Sequence, residues 1–397
     1  NASINIPSLN LISQSNKESL SIFFADPEIA GKVNYTGSST AYTPIYVYNV
    51  GYDASNGSFT FQRGENNPAV LPAPVTMQAG AFTQQTQTVH YAFQHAETFM
   101  NIPYLERISM INANKYALSP TGDATDVGNF SPIFTKTEDE AFWVKPYSSF
   151  ESIPLKNGPK VSNINYGTLI GHDSKLETVK YGFERVLTAY IGYNGASQRY
   201  QGIDTYQNGG LLGGTATFYK GNFFNATTAT VGSTVRSTSS MYGHENYTML
   251  IAGIANKAGY NFEFAKGKFI VQPSLLLSYT FVNTFDFTNA AGLRIKSDPL
   301  NAIQIAPGIK FIGNTKSGWQ PYLAVNMVWN ILDESKVTAN DTRLPEMSID
   351  PYIEYGVGVQ KRWAESYTAY IQAMIHSGGR NGVSLTGGLR WKVGKKK

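Results

Sequence analysis

The sequence predicts an all-β chain: a twelve-stranded antiparallel transmembrane β-barrel, preceded by a helical connector and a short β-rich N-terminal segment. Three observations predict it. First, apolar residues alternate with polar ones over runs longer than ten residues, whereas strands of soluble sandwiches usually run about 5–6. Second, 15% of the 397 residues are charged and 13% are aromatic, against about 25% charged in soluble domains. Third, no stretch approaches the ~18 uninterrupted apolar residues of a spanning helix, so a membrane crossing has to use strands. A polar lumen also lowers the mean hydropathy of such a barrel. The competing class is a soluble all-β protein.

Composition excludes several functions. There is no cysteine, which removes disulfide scaffolds, thiolate zinc sites and cysteine nucleophiles together. The net charge of +4 is too small to argue for nucleic acid, and basic residues cluster only at Lys395–Lys397. The chain begins at Asn1 without a basic-then-apolar leader, which reads as a mature or truncated product.

Three regions follow one another: 1–77, 78–140 and 141–397. The first is rich in Ser, Asn and Thr, with β-type runs at 19–24, 42–52 and 57–63. Asp53-Ala-Ser-Asn56-Gly57 reads as the turn of a hairpin. Pro68, Pro72 and Pro74 then interrupt the chain. In 79–117 the period changes. Val89, Phe93, Ala96 and Met100 stand at i, i+4, i+7 and i+11, one face of a helix. Gln84, Gln85, Gln87, Gln94 and Glu97 cover much of the rest. Pro103 ends this helix, and 104–118 can form a second with Leu105, Ile108 and Ile111 on its apolar side. The acidic stretch 119–140 reads as a linker.

From Ala141 the period becomes two. In 269–281, Phe269, Val271, Leu275, Leu277, Tyr279 and Phe281 form one face; Gln272, Ser274, Ser278 and Thr280 form most of the other. In 352–363, Ile353, Tyr355, Val357, Val359 and Trp363 oppose Glu354, Gly356, Gly358, Gln360 and Arg362. Long strands, lipid-facing on one side and polar on the other, with aromatics near their ends, are the pattern of an outer-membrane barrel. Strands are placed near 141–152, 159–172, 182–194, 208–219, 222–236, 246–264, 268–285, 301–313, 318–330, 349–363, 366–378 and 382–393. Twelve is an even number, as single-chain bacterial barrels require. Short turns at Lys220-Gly221, 265–267, 314–317 and 364–365 alternate with longer loops at 195–207, 237–245, 286–300 and 331–348. The short set is expected in the periplasm and the long set outside. Connections 153–158 and 379–381 are short for the outer side, and 173–181 is long for the inner side.

The residues Ala141-Phe142-Trp143-Val-Lys145-Pro-Tyr147-Ser-Ser-Phe150-Glu151 open the barrel. This Trp-x-(basic)-x-Tyr start resembles the first strand of bacterial autotransporter translocator domains. Strand count, Tyr355-Gly356 and the closing Gly387-Gly388-Leu-Arg390-Trp391 extend the resemblance over 141–397. Residues 47–61 are similar, more loosely, to the Tyr-rich hairpin that ends autotransporter passengers. The resemblance implies type V secretion: a C-terminal barrel in the outer membrane anchors and exports an N-terminal passenger to the cell surface, leaving a helix in the lumen. Implied partners are outer-membrane lipid, the barrel-assembly machinery and the chain's own passenger, with the chain as a monomer. Residues 1–77 would be the end of that passenger, cut short. One departure stands out, because the family ends on a terminal aromatic residue and here Lys392–Lys397 follow Trp391.

Catalytic readings are weaker. His90 and His95 are five apart and sit poorly on one helical face, so no metal is expected. Gly171-His172-Asp173-Ser174 lacks a Gly-x-Ser-x-Gly elbow and reads as a polar strand end; His244-Glu245 reads as a loop. Some autotransporters cut the passenger by cyclisation of a lumenal asparagine. Asn66-Asn67 precedes Pro68 and lies outside the helix, and Asn112 and Asn114 are not adjacent, so no self-cleavage is expected. The chain is therefore read as a non-enzyme without cofactors. Lys145, Lys257, Glu263, Lys310, Glu354, Gln360, Arg362 and Arg390 fall in the polar phase of their strands and are expected to line the lumen. Helix 79–100, with His90, Gln94 and Glu97, either plugs the lumen, using a groove at Gly356 and Gly358, or packs on the passenger stump outside. A porin or solute channel is the alternative function, and an outer-membrane hydrolase a third.

Overall fold

The computed structural model describes residues 2–4, 9–10, 19–23, 29, 31–42, 46–66, 72–94 and 140–393, except 159, 201, 241–242, 266, 291, 316, 341 and 364–366. Twelve long strands dominate it. They are β1 (Ala141–Lys156), β2 (Lys160–Asp173), β3 (Glu184–Tyr200), β4 (Ile203–Lys220), β5 (Phe223–Ser240) and β6 (Gly243–Tyr260). Then come β7 (Phe269–Thr284), β8 (Leu300–Gly313), β9 (Trp319–Leu332), β10 (Tyr352–Trp363), β11 (Tyr367–Gly378) and β12 (Asn381–Lys392). Each pairs antiparallel with its neighbour in sequence, and β12 returns to β1 with Asn381 opposite Ser152 and Lys392 opposite Ala141. The sheet is closed, so no edge strand is left to pair with another chain.

The two faces are those the alternation dictates. Leu275, Leu277, Tyr279, Ile353, Tyr355 and Val357 are exposed on the outside of the barrel. Their neighbours Leu276, Ser278, Tyr352 and Glu354 are buried inside. Outward aromatics gather at one end, around the turns after β4, β6, β8 and β10: Phe223, Phe262, Phe264, Phe269, Trp319, Trp363 and Tyr367. Such a girdle marks a membrane–water boundary.

Two expected long loops are zipped into strand. Instead of loops at 195–207 and 237–245, β3 pairs with β4 as far as Tyr200 opposite Ile203, and β5 with β6 as far as Ser240 opposite Gly243. The polar residues there alternate as well as apolar ones do, but a hydrophobicity count does not register them. The remaining long loops, 285–299 and 333–351, share a small sheet of Phe287–Thr288, Arg294–Ser297, Val337–Ala339 and Thr342–Arg343. Buried Leu293, Ile295, Val337, Ala339, Leu344 and Met347 lie in these loops.

The N-terminal residues form a five-stranded sheet around Ala41, Tyr48, Phe59 and Phe61. Its hairpin turns at Asp53–Gly57, where Asp53 Oδ1 accepts from the Ser55 amide at 2.9 Å and Gly57 takes φ 65°. Helix α1 spans Pro72–Gln87 and continues as a π-helical segment, Thr88–Gln94. It starts earlier than expected, because Pro72 and Pro74 stand in its first turn, where a missing N–H leaves no intrahelical bond unmade. The second expected helix, 104–118, and the acidic linker up to 139 lie outside the described residues.

Candidate functional site

Every side chain from Met77 to Phe93 is buried, none more than 5% exposed. Yet the stretch Gln78-Ala-Gly-Ala-Phe-Thr-Gln-Gln-Thr-Gln-Thr88 is too polar to sit in a hydrophobic core. What buries it is the barrel, since α1 lies in the lumen and the amides of Gln84 and Gln87 meet polar residues of the wall.

Gln84 Nε2 donates to Thr234 Oγ1 on β5 (3.1 Å), and Gln87 Nε2 to Asn165 Oδ1 on β2 (3.1 Å) and the Gly195 carbonyl on β3 (2.9 Å). In return Asn194 donates to Gln84 Oε1 (3.2 Å) and Gln207 to Gln87 Oε1 (3.0 Å). Gln198 reaches Thr83 Oγ1 and the Ala79 carbonyl. Each neutral bond contributes about 0.5–1.5 kcal/mol net, and removing one partner leaves the other buried and unpaired at about 1–3 kcal/mol. Arg236 ties the set together: its guanidinium donates to Gln198 Oε1 (2.7 Å), Gln207 Oε1 and the Gly80 carbonyl (3.4 Å). Gly80 permits that approach, because a Cβ there would lie 2.8 Å from Arg236 Nε and 2.6 Å from Met249 Cε. At its start the helix is held by the loop sheet, where Gln78 Nε2 donates to the carbonyls of Ser335 (3.3 Å) and Pro345 (3.2 Å).

The π-helical segment brings down a second set. Tyr91 stacks on Tyr147 at 4.0 Å, and Phe93 fills the space above Gly253, whose absent Cβ would lie 2.9 Å from the ring. The expected groove at Gly356 and Gly358 is already occupied, by Met374 and by the Tyr322 ring. His90 Nε2 lies 3.1 Å from Tyr352 Oη and 2.7 Å from Glu354 Oε1, beside His376, Glu151 and Arg380.

Lys145 is buried over the rings of Trp143 and Tyr370, at 5.3 and 5.7 Å. Arg390 Nε bonds Asp173 Oδ2 at 2.9 Å, and Asp173 also accepts from Trp143 Nε1 and Thr188. Lys310 lies over the inward Tyr322 ring. Gln360 is buried and donates to Gln320. Lys257 shares the phase of buried Ile251 and Ala255, and Glu263 stands between outward Phe262 and Phe264. Arg362 and Gln94 lie on described elements, but their side chains fall outside the described residues, as does all of Glu97. Asn67, Asn112 and Asn114 lie outside them too. No triad forms at 171–174. Successive strand residues face opposite ways, so His172 packs outward on Phe142 while Asp173 points inward. His244 bonds Ser237 and Ser239, and its neighbour Glu245 is buried on the opposite face.

Sequence reasoning overlooked Arg236, Glu151, His376 and Arg380. Arg236 was legible, since Val231 and Val235 face outward and the alternate position must face in. Arg380 was not, because it stands in the short β11–β12 turn, where no period applies.

Residues 142–373 match the family described as autotransporter beta-domain. Among solved structures, the chain is similar to the β domain of the Bordetella autotransporter BrkA (18% identity, 64% of this chain, 100% of that one, TM-score 0.52). It is likewise similar to the transport unit of AIDA-I from Escherichia coli (17%, 72% and 96%, TM-score 0.55) and the translocator domain of NalP from Neisseria meningitidis (11%, 77% and 99%, TM-score 0.53). No curated protein sequence matches the chain.

Proposed function

The chain belongs to the autotransporter β-domain family, and from that premise we propose that its barrel is an outer-membrane translocator that exports and anchors an N-terminal passenger, with α1 retained in the lumen afterwards. The observation that carries this reading is the seating of α1: a polar helix, N-terminal to the barrel in sequence, buried inside it and hydrogen-bonded to β2, β3, β4 and β5. A porin or solute channel needs an open path where this helix lies. In the proposed orientation the loops 285–299 and 333–351 face the exterior, with the passenger on the same side. The girdled end faces the periplasm. Outer-membrane lipid covers the exposed apolar belt, the barrel-assembly machinery inserts it, and the chain works as a monomer, without nucleic acid or catalysis by the barrel.

The chain is cysteine-free, which makes the test direct. A Gln84→Cys, Thr234→Cys pair should be joined by a short bifunctional thiol-alkylating crosslinker in the folded protein. Planar-bilayer conductance should stay low in the joined protein and rise several-fold when 72–94 are deleted. Free labelling of a Gln84→Cys variant from bulk solvent, without crosslinking in the pair, would sink the reading.

A further inference from the structure

We propose that His90, Glu354 and His376 form a site for a divalent transition-metal cation of the zinc class, clamping the π-helical segment to strands β10 and β11. The donors come from two separate parts of the chain. Glu354 and His376 are directly opposed in the β10–β11 ladder and point inward; His90 arrives on the helix. One ligand atom from each lies within 4.8 Å of the others. Glu354 Oε1 is 2.7 Å from His90 Nε2 and 3.6 Å from His376 Nε2. Zinc bonds of about 2.0–2.2 Å in a tetrahedron place donors roughly 3.3–3.6 Å apart, wider than the first separation and reaching the second. The two imidazole rings lie 5.4 Å apart at 28°.

The surroundings favour a cation over a hydrogen-bonded cluster. Glu354 Oε1 and His376 are buried, and Glu354 Oε1 faces ring nitrogens of both His90 and His376. His376 Nδ1 faces Glu151 Oε1 at 3.3 Å, while its Nε2 faces Glu354. A neutral imidazole carries one proton, so one of its nitrogens turns a lone pair toward a carboxylate. With the proton on Nδ1, lone pairs of His376 and Glu354 converge, and a positive ion between them removes the repulsion. A carboxylate on the far nitrogen of a ligating histidine is also the usual outer-shell arrangement. Glu151 itself is occupied by Arg380, at 2.5 and 3.2 Å. Asn326 Nδ2 holds the other oxygen of Glu354 at 3.3 Å. Tyr352 Oη, 3.1 Å from His90 Nε2, or a water completes four-coordination.

Because one of the three donors arrives with the helix, the ion would bind the plugged state and stabilise it by mass action. The test uses the full chain without a histidine tag, refolded in detergent with Zn2+ alone, desalted, and assayed for bound metal by mass spectrometry. Heat-modifiable gel migration checks that each barrel is closed. The wild type should retain one zinc per chain, and Co2+ in its place should give the visible bands of a tetrahedral ion. His90→Gln, which changes no barrel strand, and His376→Gln should each lose the metal, while His172→Gln should retain it. Wild-type protein without zinc, or His90→Gln holding as much as wild type, would overturn the proposal.

Discussion

Asp333 stands where β9 leaves the barrel wall and enters loop 333–351. Burial pushes its pKa up to about 6, with Glu334 and Asp350 adding to the rise and the Ile349 amide opposing it. The Ile349 N–H donates to Asp333 Oδ2 at 2.9 Å, near the Ser335 carbonyl that accepts from Gln78. A folded-state pKa above the unfolded value means the cost of burying the carboxylate is absent below the ordinary value of 3.8 and accumulates as pH rises through about 6. The loop should therefore be tightest at low pH. Hydrogen exchange at Ile349, corrected for intrinsic rates, should show protection falling on the order of tenfold between pH ~4 and ~7. Asp333→Asn should flatten that profile, and an unchanged profile in the variant would show that another group is responsible.

The helix and the strands answer to different rules. Each strand was legible because one face meets lipid, so alternation is enforced wherever a residue crosses the belt. Leu277, in the middle of β7, is half-exposed on that face, and a charge at such depth costs about 2–4 kcal/mol for Arg. Leu277→Arg should make the free energy of folding into vesicles, measured by urea titration, less favourable by that amount. Phe264→Arg, beside a turn at the girdled end, should cost about 0–1 kcal/mol. Equal costs at the two positions would mean that the belt is not where the exposed residues place it. Helix α1 obeys no such constraint. Val89 and Phe93 are buried, but so are Gln84, Gln85 and Thr86, because a barrel encloses the helix on every side. An amphipathic stripe was the wrong signal to seek there; a run of Gln and Thr with small residues was the better one.

At the scale of the whole molecule, the proposed orientation sets which end each loop reaches. If the passenger lies outside, Asp298→Cys in the loop after β7 should react with an impermeant thiol reagent on intact cells. Lys268→Cys, in the β6–β7 turn, should react only after the outer membrane is permeabilised. Both residues are exposed at opposite ends of the barrel, so accessibility within the protein does not bias the comparison. The reverse labelling pattern would invert the proposed topology.

The sequence by itself determined the strand number, the phase of each strand and the closed barrel, because lipid outside and a polar lumen inside impose a period of two on every crossing segment. It also marked Glu354 and Arg390 as inward, for the same reason. Only the tertiary structure decided what those inward groups meet. His90 and His376 are 286 positions apart, and no periodicity relates a lumenal helix to the strand it rests on. The early start of α1 at Pro72, the π-helical segment that turns His90 toward Glu354, and the arrival of Arg380 from a two-residue turn all depend on the shape of the enclosed space. That shape is set by twelve strands closing together, and no local stretch of residues contains it.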